Sequence, residues 1–482
     1  MMQLDFPADD SENNPKKSKK IKKFIILFFV ALVVAFFCLI FVRTIQFKNC
    51  TKAKSLSAEC IREFQEILQK NYPENFNILK PLPYKISEPT LDIWAKSAIL
   101  IDTSNGNILA EKNADEIIPP ASMIKLFVMY IIDEEVAAGN LSYNQKIDLP
   151  PQTWACNMPP RSSLMFLGEG HIVTLEELIL GLSICSGNDA AYALAFAVCG
   201  NMEDFVARMN QVAQDLGLKN THFAESSGYS EKNVTTAREM AAFCQIYLKK
   251  YPESLKRFHS VPSFTYPKQH NLAQGDVLKT QDFSLGIPKR ITMSITQKNT
   301  NPLLGILDGA DGLKTGYIDE SGYNLSLTAQ RNGIRFLSVT MGGPGESAYE
   351  GQKGRIHDGT ELMEWAFSSF GNFSTENYIR SYFTKIFGAK QKGINLIPVS
   401  NDKYLTVPYV YGNSIEENNE NIRISLTVKD LFGDVKCGEV CGNLKFYLGD
   451  YLLQEIPLIS DRTVKKSNFI VSLADKIIVS FF

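Results

Sequence analysis

The chain reads as an α+β protein with an N-terminal membrane helix and a small all-β C-terminal domain, on three observations. An unbroken apolar run, Phe24 to Val42, follows a basic stretch. Alternating segments over 97–111 and 323–341 read as strand hairpins, and they flank a middle with helical spacing and helix caps, so strands and helices occur in separate runs of the main part. Beyond about Asn372 the chain breaks into short alternating runs punctuated by Gly and Asp, the pattern of a β-rich domain. A length of 482 residues accommodates two soluble domains, and 45% hydrophobic content with a net charge of −2 is ordinary for a globular chain. That charge gives no reason to expect a nucleic-acid partner.

Taken in order, Lys16 to Lys23 closes a basic tail (1–23), and Phe24 to Val42 is long enough at about 1.5 Å per residue to cross a hydrocarbon core. The basic flank stays inside. A cleavable leader is the alternative, but the polar leader is long, the apolar run exceeds a usual signal core, and no small-x-small site follows closely. The retained anchor (24–42) is therefore the reading, followed by a polar spacer (43–85) with one helical stretch, Ala58 to Tyr72.

The main domain spans 86–370. Ser97 to Asp102 alternates like a strand, and Asn105-Gly106 turns it onto Asn107 to Glu111. Pro119-Pro120 stops extended structure, and Ser122 opens an apolar helical run that ends at Gly139-Asn140. Thr174 and Glu177 form a capping box for a helix striped by Leu175, Leu178, Ile179 and Leu182. Ser186-Gly187-Asn188-Asp189 is then a loop before an alanine-rich helix, Ala190 to Val198. Lys314-Thr315-Gly316 precedes a strand, Tyr323 to Ala329, which Asn332-Gly333 turns into Arg335 to Met341. The β domain covers 371–468. The final segment, 469–482, places Ser472, Asp475, Lys476 and Ser480 on one helical stripe with bulky apolar residues elsewhere, which suits a helix in the membrane interface; docking on the β domain is the alternative.

Three short segments carry chemistry. Ser122 and Lys125, three apart, share a helix face, so the amine can reach the hydroxyl. Apolar neighbours lower the pKa of Lys125, and only the neutral amine can take a proton from serine. The helix N-terminus offers unpaired N–H groups to a developing oxyanion. The loop Ser186-Gly187-Asn188 can present a hydroxyl to relay a proton and a carboxamide to bind a substrate amide. Lys314-Thr315-Gly316 lies at a sheet edge that can bind an extended peptide through its backbone: Lys314 and Thr315 attract a carboxylate, Gly316 permits close approach, and the Tyr317 N–H completes an oxyanion hole. Each segment alone has a bland reading as a cap, a turn or a surface lysine, and decoys exist at Ser400 to Lys403, Ser11-Glu12-Asn13 and Ser142-Tyr143-Asn144. Order and setting separate the three from these.

With Ala98 to Asp102, Pro119 to Met123, Leu164 to Gly168, Ser186 to Ala190, Thr235 to Arg238, Asn301 to Leu304 and Asp311 to Tyr317, the stretch from about Ile86 to Phe370 resembles the low-molecular-mass penicillin-binding proteins that act as serine-type D-alanyl-D-alanine carboxypeptidases. The part beyond resembles their C-terminal β domain. The resemblance implies the penicillin-binding/β-lactamase-like fold, an antiparallel sheet with a helical subdomain, and removal of the terminal D-Ala from peptidoglycan stem peptides. It implies Ser122 as nucleophile, Lys125 as base, Ser186 and Asn188 as relay and substrate contact, Lys314 and Thr315 for the carboxylate, and covalent inhibition by β-lactams. It implies no metal and no cofactor, and, with the anchor, a domain outside the bacterial cell membrane.

The chain also departs from that pattern. Tyr317 stands where family members often have His, and Thr296-Gln297-Lys298-Asn299-Thr300-Asn301 lacks an arginine that many carry, with Lys298 as the possible substitute. A β-lactamase and a non-catalytic wall-binding or β-lactam-sensing protein are the rival readings. No Glu-x-x-Leu-Asn segment lies between Asn188 and Lys314, which disfavours the first, and the complete residue set disfavours the second. None of the five histidines (171, 222, 259, 270, 357) adjoins a Gly-x-Ser-x-Gly elbow, and they read as loop or surface residues. The nine cysteines form no C-x-x-C pair; Cys437 with Cys441 and Cys50 with Cys60 are candidate disulfides, free thiols being the alternative.

Overall fold

The computed structural model describes residues 15–72, 79–86, 90–278, 291–400, 402–409 and 421–480. Part of the predicted basic tail, the Ser11-Glu12-Asn13 decoy, residue 401 of the Ser400 decoy and the last two residues lie outside these.

A six-stranded sheet organises the main domain. Its strands are β1 (Lys80–Pro81), β2 (Ser97–Asp102), β3 (Asn107–Lys112), β4 (Ala310–Ile318), β5 (Gly322–Arg331) and β6 (Ile334–Gly343), in the order β1-β3-β2-β6-β5-β4. All pairings are antiparallel except β1 with β3. The two hairpin turns expected from Asn-Gly are present, with Gly106 at φ 79° and Asn332-Gly333 at 50° and 82°. Side chains alternate between faces. Ile99, Ile101, Leu337 and Val339 point into the helical subdomain, whereas Leu100, Leu325, Leu327 and Phe336 meet Leu362, Met363 and Ala366 of a C-terminal helix. Both faces are covered, so every residue of β2 is buried. β4, which carries the third motif, is an edge strand that precedes β5, as predicted.

The helices are α1 (Pro15–Lys48), α2 (Ala58–Asn71), α3 (Lys125–Ala137), α4 (Leu175–Ile184), α5 (Asn188–Cys199), α6 (Met202–Asp215), α7 (Ala237–Lys250), α8 (Ala348–Ser369) and α9 (Phe469–Val479). Lys125 to Asp133 of α3 is buried on all sides, which makes α3 the central helix of the subdomain. The capping box at Thr174 and Glu177 starts α4.

The C-terminal part forms its own six-stranded sheet around Ile394, Leu396, Phe446 and Leu458. It is fastened to the main domain by the pair Phe370–Ser374 and Tyr404–Pro408. There the Thr406 hydroxyl donates to Asp102 at 2.9 Å and accepts from Asn105 and Asn107, all buried.

Several expectations need correction. In the spacer, α2 is the expected helical stretch, while α1 continues to Lys48 and β1 already belongs to the sheet. His259 is no surface residue: it is fully buried, bonded to Tyr247 Oη at 3.0 Å and to the Leu313 carbonyl at 3.2 Å, and burial pushes its pKa down to about 4. A lone histidine carries no periodic signal that would reveal this. All nine cysteines are free thiols, so neither candidate disulfide is formed. The polar stripe of α9 turns inward at Ser472 and Asp475, while Lys476 and Ser480 stay exposed. Asp475 accepts a bidentate pair from Arg43 at the end of α1 and a bond from the Gly388 N–H at 2.8 Å. Phe469, Ile470, Leu473 and Ile477 face outward.

Candidate active site

After Pro119-Pro120 the chain enters a 3₁₀ turn, Ala121–Ile124, that continues directly into α3. Ser122 stands in that turn and Lys125 begins the helix, a small departure from the expectation that Ser122 itself opens it. The close approach rests on Gly228, where a Cβ would lie 2.1 Å from the Ala121 carbonyl oxygen.

Lys125 is fully buried, and its Nζ lies 2.7 Å from Ser122 Oγ, 2.7 Å from Asn188 Oδ1 and 2.6 Å from the Ser227 carbonyl. Burial pushes its pKa down to about 7, opposed by the carboxylates of Glu225 and Asp189. A neutral amine has two hydrogens and one lone pair. Asn188 and Ser227 use the hydrogens, which leaves the lone pair for the Ser122 hydroxyl. Asn188 is the first residue of α5, and the buried Asp189 carboxylate accepts from the N–H groups of Met165, Leu167 and Ala190, tying the cleft wall to that helix.

Lys314, also buried, donates to Ser186 Oγ at 2.9 Å and to the Thr315 carbonyl at 3.1 Å. Burial, and then the charges of Lys125 and Arg355, hold its pKa well below the usual lysine range. A Cβ on Gly316 would meet the Pro120 carbonyl oxygen at 2.3 Å, so β4 runs against the turn that holds Ser122. Ser122, Asn188 and Tyr317 consequently line one cleft of about 280 Å³, with Gly228, Tyr229 and Arg161. The Tyr317 ring stacks on Tyr323, and its hydroxyl donates to Asp319 at 2.8 Å. Lys298 is exposed on a strand paired with Ser263–Tyr266; the side chain beside Thr315 is Thr300, hydroxyl to hydroxyl at 2.8 Å.

Two supports escaped the sequence reading. Glu225 accepts from the Ser227 and Gly228 N–H groups at 2.6 and 2.8 Å and from Asn233 at 2.6 Å, fixing the loop whose carbonyl holds Lys125. Arg355 of α8 donates to the carbonyls of Gly316 at 2.6 Å and Asn324 at 3.0 Å, bracing β4 against β5. Among the described residues no cluster of three His, Cys, Asp or Glu side chains could hold a metal ion.

Residues 84–345 match the family model described as D-alanyl-D-alanine carboxypeptidase, which is more than half of the chain. The chain belongs to that family. Residues 382–466 match the model for the C-terminal domain of penicillin-binding protein 5. Among curated carboxypeptidases, DacA of Escherichia coli K12 is 28% identical over 416 residues, covering 85% of this chain and 92% of the relative. DacF of Bacillus subtilis is 30% identical over 384 residues, covering 79% and 88%. Penicillin-binding protein 5 of Haemophilus influenzae superposes with a TM-score of 0.65 at 26% identity, over 79% of this chain and all of that one. DacD of Francisella tularensis gives 0.60 at 26% identity, over 82% and 98%. The carboxypeptidase family is one of serine peptidases, and this member has the penicillin-binding fold followed by the all-β domain.

Proposed function

We propose that this enzyme removes the terminal D-Ala from peptidoglycan stem pentapeptides through an acyl-enzyme on Ser122. The observation that carries the reading is the buried Lys125 amine, 2.7 Å from the Ser122 hydroxyl, with a pKa pushed down to about 7, so that a large share of it is the neutral base at physiological pH. Lys125 takes the hydroxyl proton as Oγ bonds to the penultimate D-Ala carbonyl carbon. The N–H groups of Ser122 and Tyr317 receive the oxyanion. The C–N bond then breaks as the leaving amine collects a proton through Ser186, which Lys314 contacts, and D-Ala departs. Water attacks the ester and returns the proton to Ser122. Asn188 binds the substrate amide, and Lys314, Thr315 and Thr300 face the terminal carboxylate. A β-lactam carrying a carboxylate at the same place is predicted to acylate Ser122 and leave slowly.

The proposed setting is the outer face of a bacterial cell membrane. α1 carries a segment, Lys22–Lys48, long and apolar enough to cross a bilayer. The outward apolar face of α9, packed against the exit end of α1, supports a second contact at the same surface. The test is D-Ala release from a pentapeptide by the purified full chain, with Ser122→Ala as control. Release by the wild type and a loss of at least about a thousandfold in the variant are expected. Rapid hydrolysis of penicillin without D-Ala release would overturn the reading.

A further inference from the structure

Two thiols outside the cleft lie where the spacer meets the β domain. Cys60, Glu63 and Ile67 of α2 are spaced i, i+3 and i+7, so they share one face of that helix. The face is turned to the loop that holds Cys437. A Cβ on Gly438 would lie 2.5 Å from Ile67 Cγ2, and Thr463 Oγ1 donates to Glu63 Oε1 at 3.2 Å while accepting from the Cys437 N–H at 3.0 Å. Arg462, on the same segment as Thr463, donates to the Lys54 carbonyl at 2.7 Å. Cys60 therefore stands on the contacting face one turn from Glu63, within electrostatic reach of both Cys437 and Arg462.

The neighbouring thiols are turned elsewhere. Cys441 belongs to the core of the β domain, with its thiol at the Glu439 carbonyl, 3.4 Å away, and the Cys50 thiol points to the Lys52 carbonyl at 3.9 Å. α2 buries none of its residues, so it can settle onto Cys437 without disturbing a core.

We infer that Cys60 and Cys437 form a disulfide that ties α2 to the β domain. The outer placement proposed above supplies the oxidising compartment that such a bond needs. The oxidant is another disulfide, small or protein-borne. The Cys60 thiolate attacks it and releases one thiol, and the Cys437 thiolate then attacks the Cys60 sulfur and releases the second. Two electrons and two protons pass from the cysteines to the sulfurs of the oxidant. Burial pushes the Cys437 thiol up to about 11, so the more exposed Cys60 opens the exchange. The bond fixes the spacer against the β domain and leaves Ser122 and its cleft untouched.

The experiment counts reactive thiols in the full-length protein, alkylated under denaturing conditions during extraction from cells, before and after reduction. Two fewer thiols should react before reduction, and peptide mapping should find the Cys60 peptide joined to the Cys437 peptide. Cys60→Ser and Cys437→Ser should each abolish the link while D-Ala release stays unchanged. The same count is made on the purified full chain in detergent, first reduced and then incubated with glutathione disulfide. Reaction of every thiol in both samples, or a link of Cys437 to Cys441 or of Cys60 to Cys50, overturns the inference. A Cys60–Cys437 link that forms with glutathione disulfide but is missing from cells upholds the pairing and overturns the outer placement instead.

Discussion

At the scale of single residues, activity depends on how little charge Lys125 carries. Its pKa of about 7 is set by burial against the pull of Glu225 and Asp189. The second-order rate of acylation should therefore rise with pH through about 7 and level off above it, as the protonated amine is titrated away. Removing a carboxylate that favours the protonated form lowers that pKa further, so Glu225→Gln should move the midpoint of the profile to lower pH. Gly316 makes a steric claim. An alanine there would put a Cβ 2.3 Å from the Pro120 carbonyl and drive β4 away from Ser122. Misplacement by about 1 Å costs on the order of a hundredfold in rate, so kcat/KM of Gly316→Ala should fall by about that factor. The residues of the three motifs were legible because their chemistry dictates both type and spacing. Glu225 and Arg355 were not, because a carboxylate in a polar loop and an arginine on a distant helix have no local pattern; only the fold brings them to Ser227 and Gly316.

At the scale of elements, period-two alternation and the Asn-Gly turns revealed β2, β3, β5 and β6 almost to the residue, and the capping box revealed α4. β1 escaped, since two residues cannot show a period. The inward turn of the polar stripe of α9 also escaped, because the partner of Asp475 lies at Arg43, far away along the chain. That pair yields a prediction. Asp475 is fully buried and Arg43 is 11% exposed, so Arg43→Ala leaves a buried carboxylate without its cation. Removing one partner of such a pair typically costs about 3–5 kcal/mol. Replacing both with leucine should recover much of that loss, and denaturant unfolding of the detergent-solubilised variants measures the difference.

At the scale of the whole molecule, an N-terminal helix, a peptidase domain and a β domain are joined by buried contacts, Thr406 with Asp102 on one side and Arg43 with Asp475 on the other. The full chain is expected to stay in the membrane pellet after alkaline carbonate. A chain lacking residues 1–42 should become extractable and still be labelled by penicillin, because Ser122, Lys125 and Lys314 sit in the other domain. The account turns on which atom becomes covalently modified. Intact-mass analysis of the penicillin-treated full chain, followed by peptide mapping, should find one adduct, on the peptide that contains Ser122, and none in Ser122→Ala; an adduct on Ser186 or elsewhere, or one that survives in Ser122→Ala, would contradict it.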